Sequence, residues 1–200
     1  MNYPNKDMPR LSTDVVANTL DLHQQIANLK QALAQSRVDL RNTIKQANTD
    51  ELTGIFNRKG MIDAFSKTMD QKGGEIIFID LDKFKPINDT FGHEAGDKAL
   101  KAVANALSRH CRDNDIVARI GGDEFVVIIE GTKAKSRAID IQNIFNALSI
   151  ERAHNGTDVS IKINASIGAE PFKNGDNFDQ KKAAADQKMY DAKKAKGLNR

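Results

Sequence analysis

Residues 12–48 hold neither glycine nor proline, and apolar or small side chains recur through them in alternating steps of four and three. Val15, Thr19, Leu22, Ile26, Leu29, Leu33, Ser36, Leu40, Thr43 and Ala47 form this row. It is a heptad seam and predicts one continuous helix, with Ser12 or Thr13 as its cap. At 1.5 Å per residue such a helix is ~54 Å long, more than a domain of ordinary size offers as packing surface. A partner helix is the economical cover for the seam. The other arrangement is an amphipathic helix lying on its own domain. Ile44, four residues after Leu40, offers a second continuation of the row, the mark of a stutter.

The break follows at "NTDELTGIFNRKG", residues 48–60, where Gly54, Asn57 and Gly60 mark a turn-rich connector. The chain is thus read as an N-terminal helix, 1–48, and a domain over 49–200. Within the domain "RKGMIDAFSKTMDQ" reads as helix and "EIIFIDLD" as a short, buried, β-branched strand. "GDKALKAVANALSRHC" reads as a helix with Leu100, Val103, Ala104 and Leu107 on one face. "DIVARI" and "EFVVIIE" are strands joined through Gly121-Gly122 in a hairpin whose turn is expected to need φ > 0. "KAKSRAIDIQNIFNAL" reads as helix, "VSIKINASIGA" as one strand and "NFDQKKAAADQKMYDAKKAK" as a closing helix. The order lacks strict βαβ alternation and includes a tight hairpin. That predicts an α+β domain, a mixed sheet with helices on its faces.

Composition narrows the function classes. Apolar residues make up 40% of the 200 and charged residues 28%, a globular balance. No apolar run approaches the ~20 residues of a membrane span, and "MNYPNKDMPRLSTD" lacks a secretory leader's apolar stretch. Cys111 is the one cysteine, which excludes an intrachain disulfide and favours a reducing, cytoplasmic setting. The net charge is +3, but residues 181–200 carry seven basic side chains against Asp186 and Asp191, or +5, leaving about −2 elsewhere. With no tryptophan, 6% aromatics and no long basic stripe, nucleic-acid binding is not expected.

Two acidic groups carry the chemistry. Asp80 and Asp82 close the apolar strand "IIFIDLD" on one face, since side chains alternate with a period of two. Asp123 and Glu124 open the strand after the glycine pair. Carboxylates at the end of a buried strand are costly unless paired or bound to a cation. If the two strands are neighbours, Asp80, Asp123 and Glu124 converge, and clustered oxygens suit Mg²⁺ with substrate phosphates. Lys85 follows at a loop or helix N-terminus, "KFKPIND", where free N–H groups can meet phosphate. These are the parts of a phosphoryl-transfer site.

The stretch "GGDEF" at 121–125 is the signature of the GGDEF family, the diguanylate cyclases, and the resemblance extends over residues 49–200. "DELTGIFNR" at 50–58 resembles the family's opening motif, and "FIDLDKFKPINDTFGHEAGD" at 78–97 its metal and guanine segment. "ASIG" at 165–168 and "ADQKMYDAK" at 185–193 resemble its later landmarks. The resemblance implies a fold like the palm of nucleotide cyclases and polymerases: a central mixed, mostly antiparallel sheet wrapped by helices, here after a long coiled-coil helix. It implies condensation of two GTP into cyclic di-GMP and two pyrophosphates.

By position, Asp80 and Asp123 look like ligands of Mg²⁺, with Mn²⁺ as the alternative, helped by the Leu81 carbonyl. Glu124 lies beside the metal as a further ligand, and either acid of the Asp123–Glu124 pair is open as the base. Asn88 and Asp97 resemble the guanine readers, with His93 between them as substrate contact or loop-packing residue. Lys85 and the amides of Lys83 and Phe84 look like the phosphate grip.

The C-terminus departs from the family pattern. Counting from Tyr190 selects Lys193 as the phosphate lysine; counting back from Gly197 selects Lys194. One residue is extra, Leu198 stands where an arginine is usual, and Lys196 is a replacement on offer. "RDND" at 112–115 resembles the family's inhibitory product site, with Arg112 and Asp115 holding cyclic di-GMP; a surface ion pair is the plain reading. The expected enzyme is a homodimer through its N-terminal helix. The alternative is an inactive domain serving as a cyclic di-GMP receptor or dimerisation adaptor.

Overall fold

The computed structural model describes residues 13–68, 73–131, 137–154 and 157–198. The chain falls into two compact units, residues 1–45 and 46–200. The described residues of the first belong to the helix α1, Thr13–Asn48, which no glycine or proline interrupts. Its large apolar side chains are exposed, Leu20 and Leu29 to about 70%. The cap expected at Ser12 lies outside the described residues.

The second unit is built on four strands in the order β2-β3-β1-β6, each antiparallel to its neighbours. They are β1 (Gly74–Leu81), β2 (Ile116–Arg119), β3 (Glu124–Glu130) and β6 (Ala165–Phe172). A parallel bridge from Phe56 to Ala118 makes the sheet mixed, as the sequence predicts.

Among the described residues the helices are α1, α2 (Arg58–Thr68), α3 (Phe84–Phe91), α4 (His93–His110), α5 (Ala138–Ala147) and α6 (Phe178–Ala195). Strand alternation sorts the core into two layers. Ile77, Ile79, Val127 and Ile129 pack with Ala99, Val103 and Leu107 of α4 and with Phe145 of α5. Ile76, Phe78, Val126 and Ile128 face the other way, to Met61 and Phe65 of α2 and Ala185 and Met189 of α6. Asp80 continues the second row and lies on the α6 face.

Two expectations are corrected. "VSIKINASIGA" is two strands: β5 (Thr157–Lys162) pairs with β4 (Ser149–His154) in a separate hairpin, and β6 enters the central sheet. The chain changes sheets at Ile163–Asn164, where Ile163 donates to the Leu148 carbonyl (3.0 Å) and the Asn164 carbonyl accepts from Asp82 (2.9 Å). The second correction is that neither Gly121 nor Gly122 has a positive φ. At Gly121 a Cβ would lie 2.7 Å from a Glu124 carboxylate oxygen, a contact that a shift of that flexible side chain relieves.

Candidate active site

The register of β1 on β3 sets Asp80 opposite Glu124, and the Leu81 N–H donates to the Asp123 carbonyl at 3.1 Å. Segments more than forty residues apart in sequence thus meet at one end of the sheet. On the other side of β1, Asp80 stands opposite Ser166 of β6. The buried Ser166 hydroxyl donates to Asp82 (2.7 Å) and holds that second carboxylate in place.

The height of α6 above the sheet is set by Gly168. A Cβ there would come within 2.2 Å of the Met189 N and the Ala185 carbonyl, so only glycine allows this approach. Lys193, one turn beyond Met189, then reaches Asp80, two residues beyond the Phe78 that pairs with Gly168. Its ammonium lies 2.6 Å from Asp80 Oδ1, with both side chains less than a tenth exposed. Lys196 bonds Asp82 (2.8 Å) and the Ala165 carbonyl (2.7 Å). Lys194 is exposed. Of the three lysines left open by the sequence, Lys193 is therefore the one at the Asp80 end of β1.

The signature turn is held by a residue that sequence reasoning missed. Arg119 donates to the Gly122 carbonyl through Nε (3.1 Å) and Nη2 (2.8 Å) and to both oxygens of Asp50 through Nη1 (3.1 and 3.2 Å). Burial pushes the Asp50 carboxyl up, but hydrogen bonds from Thr53 and Arg119 outweigh it and hold it below its ordinary range. The connector "DELTG" is thereby tied to the turn that carries Asp123. The lone arginine before the glycine pair, five residues from Glu124, was the available signal.

Beyond β1, Lys83 has φ 56°, a left-handed backbone costing ~1 kcal/mol for a residue with a Cβ. No side chain caps the N-terminus of α3 that follows. The N–H groups at Phe84 and Lys85 open that helix, where orphan donors favour anions. Asn88 lies over Gly96, where a Cβ would be 1.9 Å from its Oδ1, so the last turn of α3 and the first of α4 are in direct contact. His93 and Asp97 on α4, like Lys83 and Lys85, are exposed. A groove of about 620 Å³ borders the same loop, lined by Asp82, Lys83, Ile87, Asn164, Lys196 and Leu198.

Arg112 and Asp115 are placed together, though not as a side-chain ion pair. The Arg112 backbone N–H donates to Asp115 Oδ2 (2.8 Å), and Glu130 N–H donates to Oδ1 (3.2 Å). Asp115 is buried and pins the turn before β2, while Arg112 is exposed.

Asp80, Asp123, Glu124 and the Leu81 carbonyl offer only hard oxygen donors, which in kind fit Mg²⁺ or Mn²⁺. Among the described residues no three Asp, Glu, His or Cys side chains gather closely enough to hold a metal. Asp80 is paired with the Lys193 ammonium.

Comparison with known proteins identifies the family. A family model described as "Diguanylate cyclase, GGDEF domain" matches residues 47–199. The probable diguanylate cyclase DgcC of Escherichia coli K12 is 34% identical over 157 residues, covering 76% of this chain and 42% of its own. Diguanylate cyclase DgcP of Pseudomonas aeruginosa is 32% identical over 180 residues, covering 87% and 26%. The chain thus spans less than half the length of either relative. The crystal structure of the coiled coil and GGDEF domain of DgcB from Caulobacter crescentus, in complex with c-di-GMP, superposes with TM-score 0.74 at 27% identity. That match covers 90% of this chain and 97% of the other. Among the described residues no helix is long and apolar enough to cross a membrane. The chain belongs to the GGDEF family, the diguanylate cyclases.

Proposed function

We propose that the protein is an active diguanylate cyclase that joins two GTP molecules into cyclic di-GMP, releasing two pyrophosphates. The observation that carries this reading is the register that sets Asp80 against Glu124 with Asp123 bonded to Leu81. Asp80, Asp123, Glu124 and the Leu81 carbonyl would hold Mg²⁺. When bound, the ion polarises the phosphate and favours the attacking alkoxide.

The chain's own residues do the rest. Asn88 and Asp97 select guanine, whose N1–H and N2–H₂ match a carboxylate acceptor that adenine would leave unused. Lys85 and the amides of Lys83 and Phe84 orient the triphosphate, with His93 at the edge of the nucleotide. A carboxylate of the Asp123–Glu124 pair takes the 3′-hydroxyl proton as that oxygen bonds the other nucleotide's α-phosphorus and the bond to pyrophosphate breaks. One domain holds one GTP, so two chains face each other about a two-fold axis, paired through α1. Product binds back at Arg112, whose guanidinium suits phosphate and guanine, with Asp115 shaping its turn.

The test is incubation of the full chain with GTP and Mg²⁺, with ATP as control, and chromatography of the products. Cyclic di-GMP and pyrophosphate from GTP alone are expected. A folded chain that binds cyclic di-GMP yet makes none would replace this reading with a receptor.

A further inference from the structure

We infer that Lys193 acts as an internal counter-ion that competes with the divalent cation for Asp80, so that metal is taken up together with a triphosphate rather than alone. The inference rests on the proposed reading of Asp80 as a metal ligand. The ammonium lies 2.6 Å from Asp80 Oδ1, and both side chains are less than a tenth exposed. A carboxylate so placed needs a positive partner, and α6 supplies one from a backbone fixed on the sheet at Gly168.

A divalent ion on the same carboxylate sets two positive centres side by side where little water screens them, and one has to give way. Lys193 sits in the last turn of α6 on a flexible four-carbon stem, and its head can leave while its backbone stays. An incoming triphosphate offers the displaced ammonium a new anionic partner. Metal alone bears the cost of breaking the buried pair; metal arriving with a triphosphate has that cost offset. Each ligand then tightens the other by the same factor. Lys196 makes the parallel contact to Asp82 but also holds the Ala165 carbonyl, so it stays as the fixed member of the two.

The experiment titrates Mn²⁺ into the full chain, following free ion by electron paramagnetic resonance, with and without a non-hydrolysable GTP analogue. Lys193→Gln should raise nucleotide-free Mn²⁺ affinity about tenfold and shrink the gain that the analogue brings, while Lys193→Arg behaves as wild type. Nucleotide-free affinity of Lys193→Gln at or below the wild-type value overturns the inference. Asp80→Asn separates the two levels. If it keeps wild-type Mn²⁺ binding, the metal reading of Asp80 falls. If it loses Mn²⁺ while Lys193→Gln gains nothing, only the competition falls.

Should Lys193→Gln not fold, NMR of isotope-labelled lysine side chains in the wild-type chain decides, with Lys193→Arg assigning the signal. The Lys193 ammonium signal should move when Mg²⁺ and the analogue are added together. An unmoved signal overturns the inference.

Discussion

Helices α1 and α4 carry the same kind of apolar periodicity and meet opposite fates. On α4, Ala95, Ala99, Val103 and Leu107 are each 0% exposed, closed against β1, β3 and α5. On α1, Leu22, Ile26, Leu29, Leu33 and Leu40 are all about half exposed or more. A row of this length left bare is unfavourable in water, at roughly 25 cal/mol for each Å² of apolar surface. The pattern of α4 is spent on building the domain that positions Asp97. The pattern of α1 is left bare; in the proposed function a second chain covers it, as a reaction joining nucleotides held on two chains would require.

The largest effects should separate chemistry from scaffold. Asp123→Ala should abolish cyclic di-GMP formation with no loss of fold, because the proposed mechanism uses its side chain whereas Leu81 is held by its carbonyl. Asp80→Ala should abolish activity and also lose ~3–5 kcal/mol of stability, since it leaves the Lys193 ammonium buried without its partner. Equal urea midpoints for the two variants would contradict this distinction.

The helix comparison itself is broken or upheld by a matched pair. Leu100→Ala on α4 should cost ~2–5 kcal/mol of unfolding free energy, the range for buried leucines. Leu33→Ala on α1 should leave the unfolding of the second unit unchanged and weaken self-association in sedimentation. Asp97→Ala, a surface change by comparison, should weaken GTP binding by ~1–3 kcal/mol by calorimetry and leave stability unchanged.

The smallest effect concerns the rim where β6 meets α6. Hydrogen bonds from Lys188 and Lys181 hold Glu170 below the ordinary glutamate range. Its folded pKa lies under its unfolded value, so the stability it gives is present above the unfolded pKa and lost as pH falls through the folded one. Glu170→Gln should therefore cost up to ~1 kcal/mol at neutral pH, a difference that fades in acid. Thermal melts at both pH values check it.

The parts legible in the sequence are those in which burial imposes a period. Over the described residues, the first helix (Thr13–Asn48), the strand that carries Asp80, the hairpin around "GGDEF" and the closing helix all stand where the pattern placed them. The β4–β5 hairpin escaped because its strands, "SIERAH" and "TDVSIK", mix charged and polar residues with the buried Ile150 and Ile161. The glycine pair was expected to supply a left-handed backbone, and neither residue adopts one. Arg119 and Gly168 escaped because their work is tertiary, one clasping a connector 69 residues away, the other admitting a helix onto the sheet. Neither leaves a trace in local periodicity.

The central claim is that α1 pairs the chains and the unit from Gln46 onward carries the chemistry. The direct test is the rate per chain as a function of concentration, for the full protein and for a chain beginning at Gln46. Tethering a second site raises its effective concentration, typically toward millimolar for short links. The account predicts that the shortened chain folds and binds GTP, loses most of its activity when dilute, and regains it per chain as concentration rises. Full activity of the shortened chain, independent of concentration, would contradict it.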